Sequence, residues 1–431
     1  MKETKYILMD TACFDYQRLQ QRLEDLAEKG WHLEKPGNFL WKFRRGAPQT
    51  VHYEIIYSAA ASAFNSNPTE AEEDLADLCA QAGWERVGAL AQLQVYRNEN
   101  PSATPLETDE FEKLQNIRRT TKKHFIPQQL LMIGLFLLQF LMHGSTAMRY
   151  PTRTLSSGLM VTTLVMLLWI VASYGVLLVS SLVWIRKAAR TVEDGGTIPP
   201  YNFYRRFRWV MWGMLFVYLG FLMLAVEPLF SVGVLVISAV LIAATFGTIA
   251  LCKQMNAPRW VNIGVPVVVG SLVMMLAMTL LITAMDNFNL GLDKSKTNPL
   301  PLSLTQLTGE NGTEQTVLEE QSSFLASYQR CWDQGAEDRI NYTIVDIRSP
   351  LFYDAILNEQ DYNFMQGGGW LPEESVPLEL RHLFGAEYIR HCITNTHDRW
   401  LICWDDRIVV LRASWQLSEE QLSTVVEILK P

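Results

Sequence analysis

The chain has no Asp, Lys or Arg at mid-depth in any of its long apolar runs. Transporters and proton pumps usually keep an ionisable residue there, because that is where a costly charge does its work. Ion-coupled transport is therefore not expected. Its first residues, MKETKYILMD, lack a long apolar stretch followed by a small-residue cleavage site. No secretory signal peptide is expected, and the N-terminus should stay in the cytoplasm. No Ser/His/Asp or paired-carboxylate pattern stands out, so a non-enzymatic protein is expected. The QGGGW stretch at Gln366 to Trp370 has no lysine or Ser/Thr arrangement for phosphate binding. His32 and His52 lack a Cys or second His at ligand spacing. Neither a metal nor a cofactor is implied.

Long apolar runs are concentrated in one region, from Ile126 to Met285, although apolar residues make up only 49% of the 431-residue chain. About 20 apolar residues are needed to cross a bilayer core. Five segments qualify: 126–144, 159–184, 207–226, 229–252 and 261–285. The first is the weakest, because it contains Gln128, Gln129 and Gln139, and an interfacial helix is the alternative there. Net charge divides into about −3 for residues 1–125, +7 for 126–285 and −12 for 286–431. This pattern does not suggest direct nucleic-acid binding by either flank.

Lys and Arg in the short connections set orientation. Lys113, Arg118, Arg119, Lys122, Lys123, Arg186, Lys187, Arg190, Arg205, Arg206, Arg208, Lys253 and Arg259 fall on one side. Arg149, Arg153, Lys294 and Lys296 fall on the other. The tally predicts a multi-pass plasma-membrane protein with a cytoplasmic N-terminus and an extracytoplasmic C-terminus. The bilayer is then its first partner. On the fourth segment Ala239, Ala243 and Gly247 recur at four-residue spacing, which predicts a close packing seam within a transmembrane helix bundle.

A phrase is repeated before the apolar region. LEDLAEKGWHLEK (Leu23 to Lys35) returns about fifty residues later as LADLCAQAGWERV (Leu75 to Val87). Tyr16, Leu19, Leu23, Leu26 and Ala27 form an apolar stripe at helical spacing, as do Ala71, Leu75, Leu78, Cys79 and Ala82. Each helix stops at a glycine, Gly30 or Gly83, suited to the left-handed geometry of a helix end. A strand follows at Trp31 or Trp84. Residues 39–57 read as a hairpin, with Phe39, Trp41 and Phe43 on one face and a turn near Gly46-Ala47-Pro48. The predicted order for residues 1–97 is β-α-β-β-β-α-β-β, a ferredoxin-like α+β domain with two helices on an antiparallel sheet.

A helix ending in Gly30-Trp31 with Leu33, then Phe43, Pro48 and Tyr53, then Gly83-Trp84, resembles the domain of unknown function 2812 (DUF2812) family. That family is common in Firmicutes and is usually followed by membrane spans. The resemblance covers roughly residues 5–97 and implies no established activity. Its members look like neighbours of PadR-like transcriptional regulators, which implies a cytoplasmic protein partner of that kind. The motif aromatics are expected to be core and boundary residues.

Residues 98–125 read as a polar linker and a juxtamembrane helix, TDEFEKLQNIRRTTKKH, acidic first and basic last as a helix dipole favours. It is expected to run on into the first span. Residues 286–315 read as a linker and 316–431 as a small α+β domain. There Leu318, Leu325, Tyr328 and Trp332 predict a helix, YTIVDIR a strand, and SPLFYDAILNEQ a helix capped by Ser349. AEYIRHCIT and RWLICWDDRIVVLRAS predict antiparallel strands, followed by a last helix with a Ser418–Gln421 capping box. With a four-residue loop at Thr396 to Arg399, Cys392 and Cys403 fall opposite each other. They could form a cross-strand disulfide if this part lies outside, leaving Cys331 unpaired, and reduced thiols are the alternative. A metal site of His391, Cys392, His397 and Cys403 fails on strand alternation.

The whole reads as an uncharacterised membrane protein, regulatory, signalling or adaptor in role, that links a partner-binding domain inside to an outer domain. The alternative is an accessory subunit of a transport or cell-envelope complex.

Overall fold

Each Gly-Trp phrase closes the helix of a βαββ unit, and the computed structural model of the chain contains two such units in tandem. The structure described comprises residues 3–9, 16–37, 40–62, 65, 67–100, 102–225, 228–288, 300–309, 312, 314–366, 376, 378–393 and 397–431. In the first unit β1 (Thr4–Leu8), α1 (Tyr16–Glu28), β2 (Trp31–Lys35) and β3 (Leu40–Arg45) give a sheet of order β1-β3-β2. In the second, β4 (His52–Tyr57), α2 (Glu70–Gln81), β5 (Glu85–Leu90) and β6 (Leu93–Asn98) give the order β4-β6-β5. All pairs are antiparallel. Register shifts fall at matching places, between Leu33 and Lys35 and between Arg86 and Gly88. Each begins two residues after its tryptophan. The repeated phrase therefore encodes a repeated topology.

The element order is the expected one, but the single sheet and the 39–57 hairpin are not present. β3 pairs with β1 and β2, whereas β4 pairs with β6. The intervening segment passes the chain from one sheet to the other, and the Gly46 N–H donates to the Gly30 carbonyl (3.0 Å). β4 is buried on both faces, which an alternation rule written for a half-exposed hairpin does not anticipate. Its Tyr53, Ile55 and Tyr57 join the core built on Leu19, Leu23 and Ala27 of α1. Ile56 points the other way, to Cys79, Trp84 and Tyr96. The inner stripe of α2 also differs from expectation, because Leu78 is 64% exposed. The stripe runs through buried Glu72 and Cys79 instead. The Glu72 carboxylate accepts from the Thr69 N–H (2.9 Å) and from Gln94 Nε2 (3.0 Å).

Asp109 caps the next helix, accepting from the Phe111 N–H (2.8 Å). α3 (Glu110–Thr120), a π-helical turn (Thr121–Phe125) and α4 (Ile126–Arg149) form one unbroken helix. Then come α5 (Pro151–Ser156), α6 (Gly158–Glu193), α7 (Phe203–Ala225), α8 (Pro228–Gln254) and α9 (Arg259–Phe288). Among the described residues four helical stretches are long and apolar enough to cross a membrane: Glu110–Arg149, Gly158–Glu193, Val236–Gln254 and Arg259–Leu276. The apolar stretch Phe207–Phe221 is shorter. These helices mark a membrane protein. Ala239, Ala243 and Gly247 are exposed, so they do not form the expected seam among the described residues.

The N-terminal core extends beyond residue 97. Leu114 and Ile117 of α3, Trp184, Ala188 and Ala189 of α6, and Ile198 and Tyr201 after it are buried in the α1–β4 core. The segment after α6 is held at several points. Gln17 Nε2 donates to the Ile198 carbonyl (3.1 Å), and the Ile198 N–H donates to Glu110 Oε2 (2.8 Å). Trp184 Nε1 donates to the Pro199 carbonyl (3.0 Å), and Tyr201 OH meets Ser180 Oγ at 2.8 Å.

The chain divides into two compact units: Met1–Leu135 with Ile170–Gly220 and Ser231–Leu281, and Phe136–Trp169 with Phe221–Phe230 and Ile282–Pro431. The second holds α10 (Leu304–Thr308), β7 (Glu314–Ser322), β8 (Ala326–Gln334), β9 (Arg339–Ile347), α11 (Tyr353–Gln366), α12 (Leu378–Phe384), β10 (Tyr388–Ile393), β11 (Asp398–Cys403), β12 (Arg407–Ala413) and α13 (Glu419–Leu429). Its strands make one antiparallel sheet of order β10-β11-β12-β9-β8-β7. The helix expected through Leu318 to Trp332 is instead the β7–β8 pair. Residues 325, 328 and 332 mimic a helical spacing, yet the segment is an edge hairpin with polar outward residues. The expected linker joins the fold too, because Leu302, Leu304 and Leu307 are buried in the core. The expected Ser418–Gln421 capping box is present at α13. Ser349 makes no side-chain cap bond.

Candidate functional site

Strand alternation gives the C-terminal sheet two faces. Trp400, Ile402, Val409, Leu411, Tyr342 and Ile344 point to the side closed by α13. Leu401, Cys403, Ile408, Val345 and Tyr328 point to the side covered by α11 and α5. Along this second face the apolar pattern changes. Arg399 stands opposite Arg412, Arg412 opposite Asn341, and Arg330 opposite Thr343. Arg330, Arg399 and Arg412 thus gather with Asn341 and Thr343 at one end of this face.

This end borders a cleft of about 310 Å³. Arg330, Arg412, Asn341 and Thr343 form its floor, Glu359, Gln360, Asn363 and Phe364 of α11 one wall, and Tyr150, Thr152 and Arg153 another. The walls are tied together. The Thr152 N–H donates to Glu359 Oε2 (2.7 Å), and Gln360 Nε2 donates to Thr152 Oγ1 (2.8 Å). Arg153 pairs with Glu319 at 3.0 Å.

The charges do not balance. Arg153, Arg330 and Arg412 line the cleft against the single carboxylate of Glu359. Among the described residues Arg330, Arg399 and Arg412 form no ion pair. Arg399 is 3% exposed, its Nε and Nη2 have no hydrogen-bond partner among the described residues, and its guanidinium lies 5.1 Å from the centre of the Phe364 ring. Burial, with Arg399 and Arg330 nearby, pushes the Arg412 guanidinium down to about 10. Burial also lowers Arg399, partly offset by Cys392. Like charges placed directly opposite across strands cost up to about 1 kcal/mol. An unpartnered buried donor costs about 1–3 kcal/mol. Such an arrangement favours an incoming anion, whose oxygens accept from the guanidinium forks. Among the described residues no group of three His, Cys, Asp or Glu converges to hold a metal ion.

None of the Gly-Trp motif residues and neither Cys392 nor Cys403 lines this cleft. Gly30 and Gly83 end α1 and α2 in left-handed geometry, at φ of 76° and 81°. A Cβ at Gly30 would lie 2.8 Å from the Gly46 carbonyl oxygen. Leu33, Phe43 and Tyr53 are buried in the N-terminal core. Tyr53 OH accepts from the Leu33 N–H (3.4 Å). Pro48 is exposed in the 46–51 crossover. Trp31 is half-buried between Lys5 and Arg45, at 5.5 and 5.6 Å from its ring. Trp84 is buried, and its Nε1 donates to the Thr104 carbonyl (3.1 Å).

Cys392 and Cys403 are not opposite each other. Cys392 pairs with Arg399, and Cys403 with Tyr388. The hairpin loop lies two residues earlier than expected, which sets the cysteines four positions apart along the ladder, about 13 Å. A disulfide needs Cα atoms within about 7 Å. Neither cysteine is in a disulfide, both are buried, and burial pushes the Cys403 thiol up to about 12. His391 instead joins Asp398 at 2.8 Å and stacks on Trp400. The arginines of the cleft were missed in the sequence. Their signal is Arg at an inward position of an apolar alternation, as in Arg399-x-Leu401-x-Cys403.

No curated protein and no solved structure matches the chain. Residues 15–127 match the family model described as protein of unknown function, DUF2812. The match runs from α1 through the second Gly-Trp unit and α3 to the start of α4. Over these residues, about a quarter of the chain, the protein is similar to the DUF2812 family.

Proposed function

We propose that the chain is a non-enzymatic, multi-pass membrane protein that couples a cytoplasmic DUF2812 domain to a ligand-facing C-terminal domain on the other side of the bilayer. Helix α6 carries this reading. Its last turns place Trp184, Ala188 and Ala189 in the core of the N-terminal domain. The α5 turn before it places Leu155 in the core of the C-terminal sheet. Between these anchors lies one of the stretches long and apolar enough to cross a membrane. The excess of Lys and Arg on the N-terminal side supports the orientation. In this reading Phe207–Phe221 belongs to a fifth span.

A regulatory or adaptor role rests on that coupling. The N-terminal domain offers a protein partner the outer face of its first sheet, where Tyr6, Leu8 and Leu40 are all exposed and Leu8 lies opposite Leu40. A PadR-like transcriptional regulator is the partner class to test first.

Reporter fusions after Lys123, Lys187 and Lys296 test the topology. The first two should report the cytoplasm and the third the exterior. Protease added to intact cells should then remove the C-terminal unit. Sparing of that unit in intact cells, with cleavage after lysis, overturns the reading.

A further inference from the structure

We propose that the C-terminal cleft is a binding site for a small oxyanion, a phosphate or carboxylate group, held by Arg330 and Arg412 with Arg399 behind them. This rests on the reading of the C-terminal unit as the ligand-facing part of the molecule.

Three observations support it independently of each other. First, the cleft volume lies at the low end of the range for small-ligand pockets, about 300–1,000 Å³. That suits one small charged group or the headgroup of a larger molecule. Second, Arg399 is nearly completely buried with two guanidinium nitrogens unpartnered among the described residues, and Phe364, over which it lies, forms part of the cleft wall. Buried charges are normally paired, so an unpaired one beside a cavity marks a site that an anion completes. Third, the cleft polar groups are already fixed in place. Glu359 and Gln360 are bound to Thr152, and Arg153 to Glu319, which leaves Arg330 and Arg412 without ion-pair partners among the described residues. Arg presents a planar fork that matches phosphate and carboxylate oxygens two at a time.

The oxyanion has two sources with the same chemistry: a soluble anion, or the phosphate of an anionic lipid. Tyr150 and Arg153 line the cleft immediately after the apolar helix α4, which brings the second source within reach.

The test uses the full chain. In neutral detergent it is titrated with inorganic phosphate and with succinate, and binding is followed by calorimetry. In nanodiscs of phosphatidylcholine, with or without phosphatidylglycerol, the thermal midpoint is followed. Saturable binding of either soluble anion supports the proposal if Arg412→Gln and Arg330→Gln each weaken it by roughly tenfold or more and Arg186→Gln, far along the sequence from the cleft, does not. A midpoint rise confined to phosphatidylglycerol discs, and lost in the same two variants, supports it with lipid as the source. Arg412→Lys keeps the charge without the fork and should bind at an intermediate level, which guards against loss through misfolding. No response in any arm, or a response equal in Arg412→Gln, Arg330→Gln and the unaltered protein, overturns the proposal. Binding in detergent does not depend on topology, so failure here is separate from failure of the compartment reading.

Discussion

Arg399 and Arg412 stand directly opposite each other on β11 and β12, two like charges on the covered face of a sheet. The first is buried, with two nitrogens unpartnered among the described residues. Replacing Arg399 by Met should therefore raise, not lower, stability in the absence of an anion. The relieved cost is about 2 kcal/mol or more for an unpaired buried group, against about 1 kcal/mol for the lost contact with Phe364. A net gain of about 1 kcal/mol should appear as a higher thermal midpoint. A lowered midpoint would show that Arg399 is satisfied where it lies.

The two helix-ending glycines should differ in their tolerance of a side chain. Both need left-handed backbone, which costs an alanine about 1–2 kcal/mol. At Gly83 the nearest atom to an added Cβ is 3.5 Å away, whereas at Gly30 the Gly46 carbonyl lies at 2.8 Å. Gly83→Ala should cost about 1 kcal/mol, and Gly30→Ala distinctly more because backbone must shift. Thermal unfolding of the two variants in mild detergent compares them.

Trp184 is the main apolar anchor between α6 and the N-terminal core. Its truncation to Ala should cost about 3–5 kcal/mol and release the segment holding Ile198 and Tyr201. Limited trypsin digestion should then cut after Arg186, Lys187 or Arg190 faster than in the unaltered protein. Equal cleavage rates would mean that the contact does not hold the segment in place.

Stability of the N-terminal domain should depend on pH through Glu54 and Glu107. Burial raises both carboxyl groups above their ordinary value, and it outweighs Lys113 beside Glu54 and the Asn116 amide donating to Glu107. A carboxyl raised in the folded state destabilises it fully above the folded pKa. That cost is relieved as pH falls toward the unfolded value. Glu107→Gln keeps an acceptor for Asn116 and removes the charge. Its midpoint should exceed that of the unaltered protein at about pH 7, with the gap narrowing toward about pH 5. A gap that widens on acidification would contradict the sign.

Local signals were legible in the sequence where one residue type determines one conformation. Gly30 and Gly83, the α1 stripe, the acid-to-base run of α3 and the Ser418 box all appear as read. Long-range pairing was not. The chain leaves β3 and enters β4 through a segment that looks like a hairpin turn, and only the second copy of the unit supplies β4 with its partner. The β7–β8 pair mimics a helix in the sequence because its polar edge carries apolar residues at intervals that suit either period. The cleft was hidden for a different reason. Its arginines lie far apart in sequence, and only antiparallel register places them together.

The wide turn at Thr121–Phe125 has a consequence for the helix that contains it. One residue beyond the usual α count turns the downstream surface by about 100° around the axis. The side that α3 presents to the domain through Leu114 and Ile117 is therefore not the side that α4 carries onward. Any tightening of that turn into α geometry would turn the apolar surface of α4 about the axis it shares with α3.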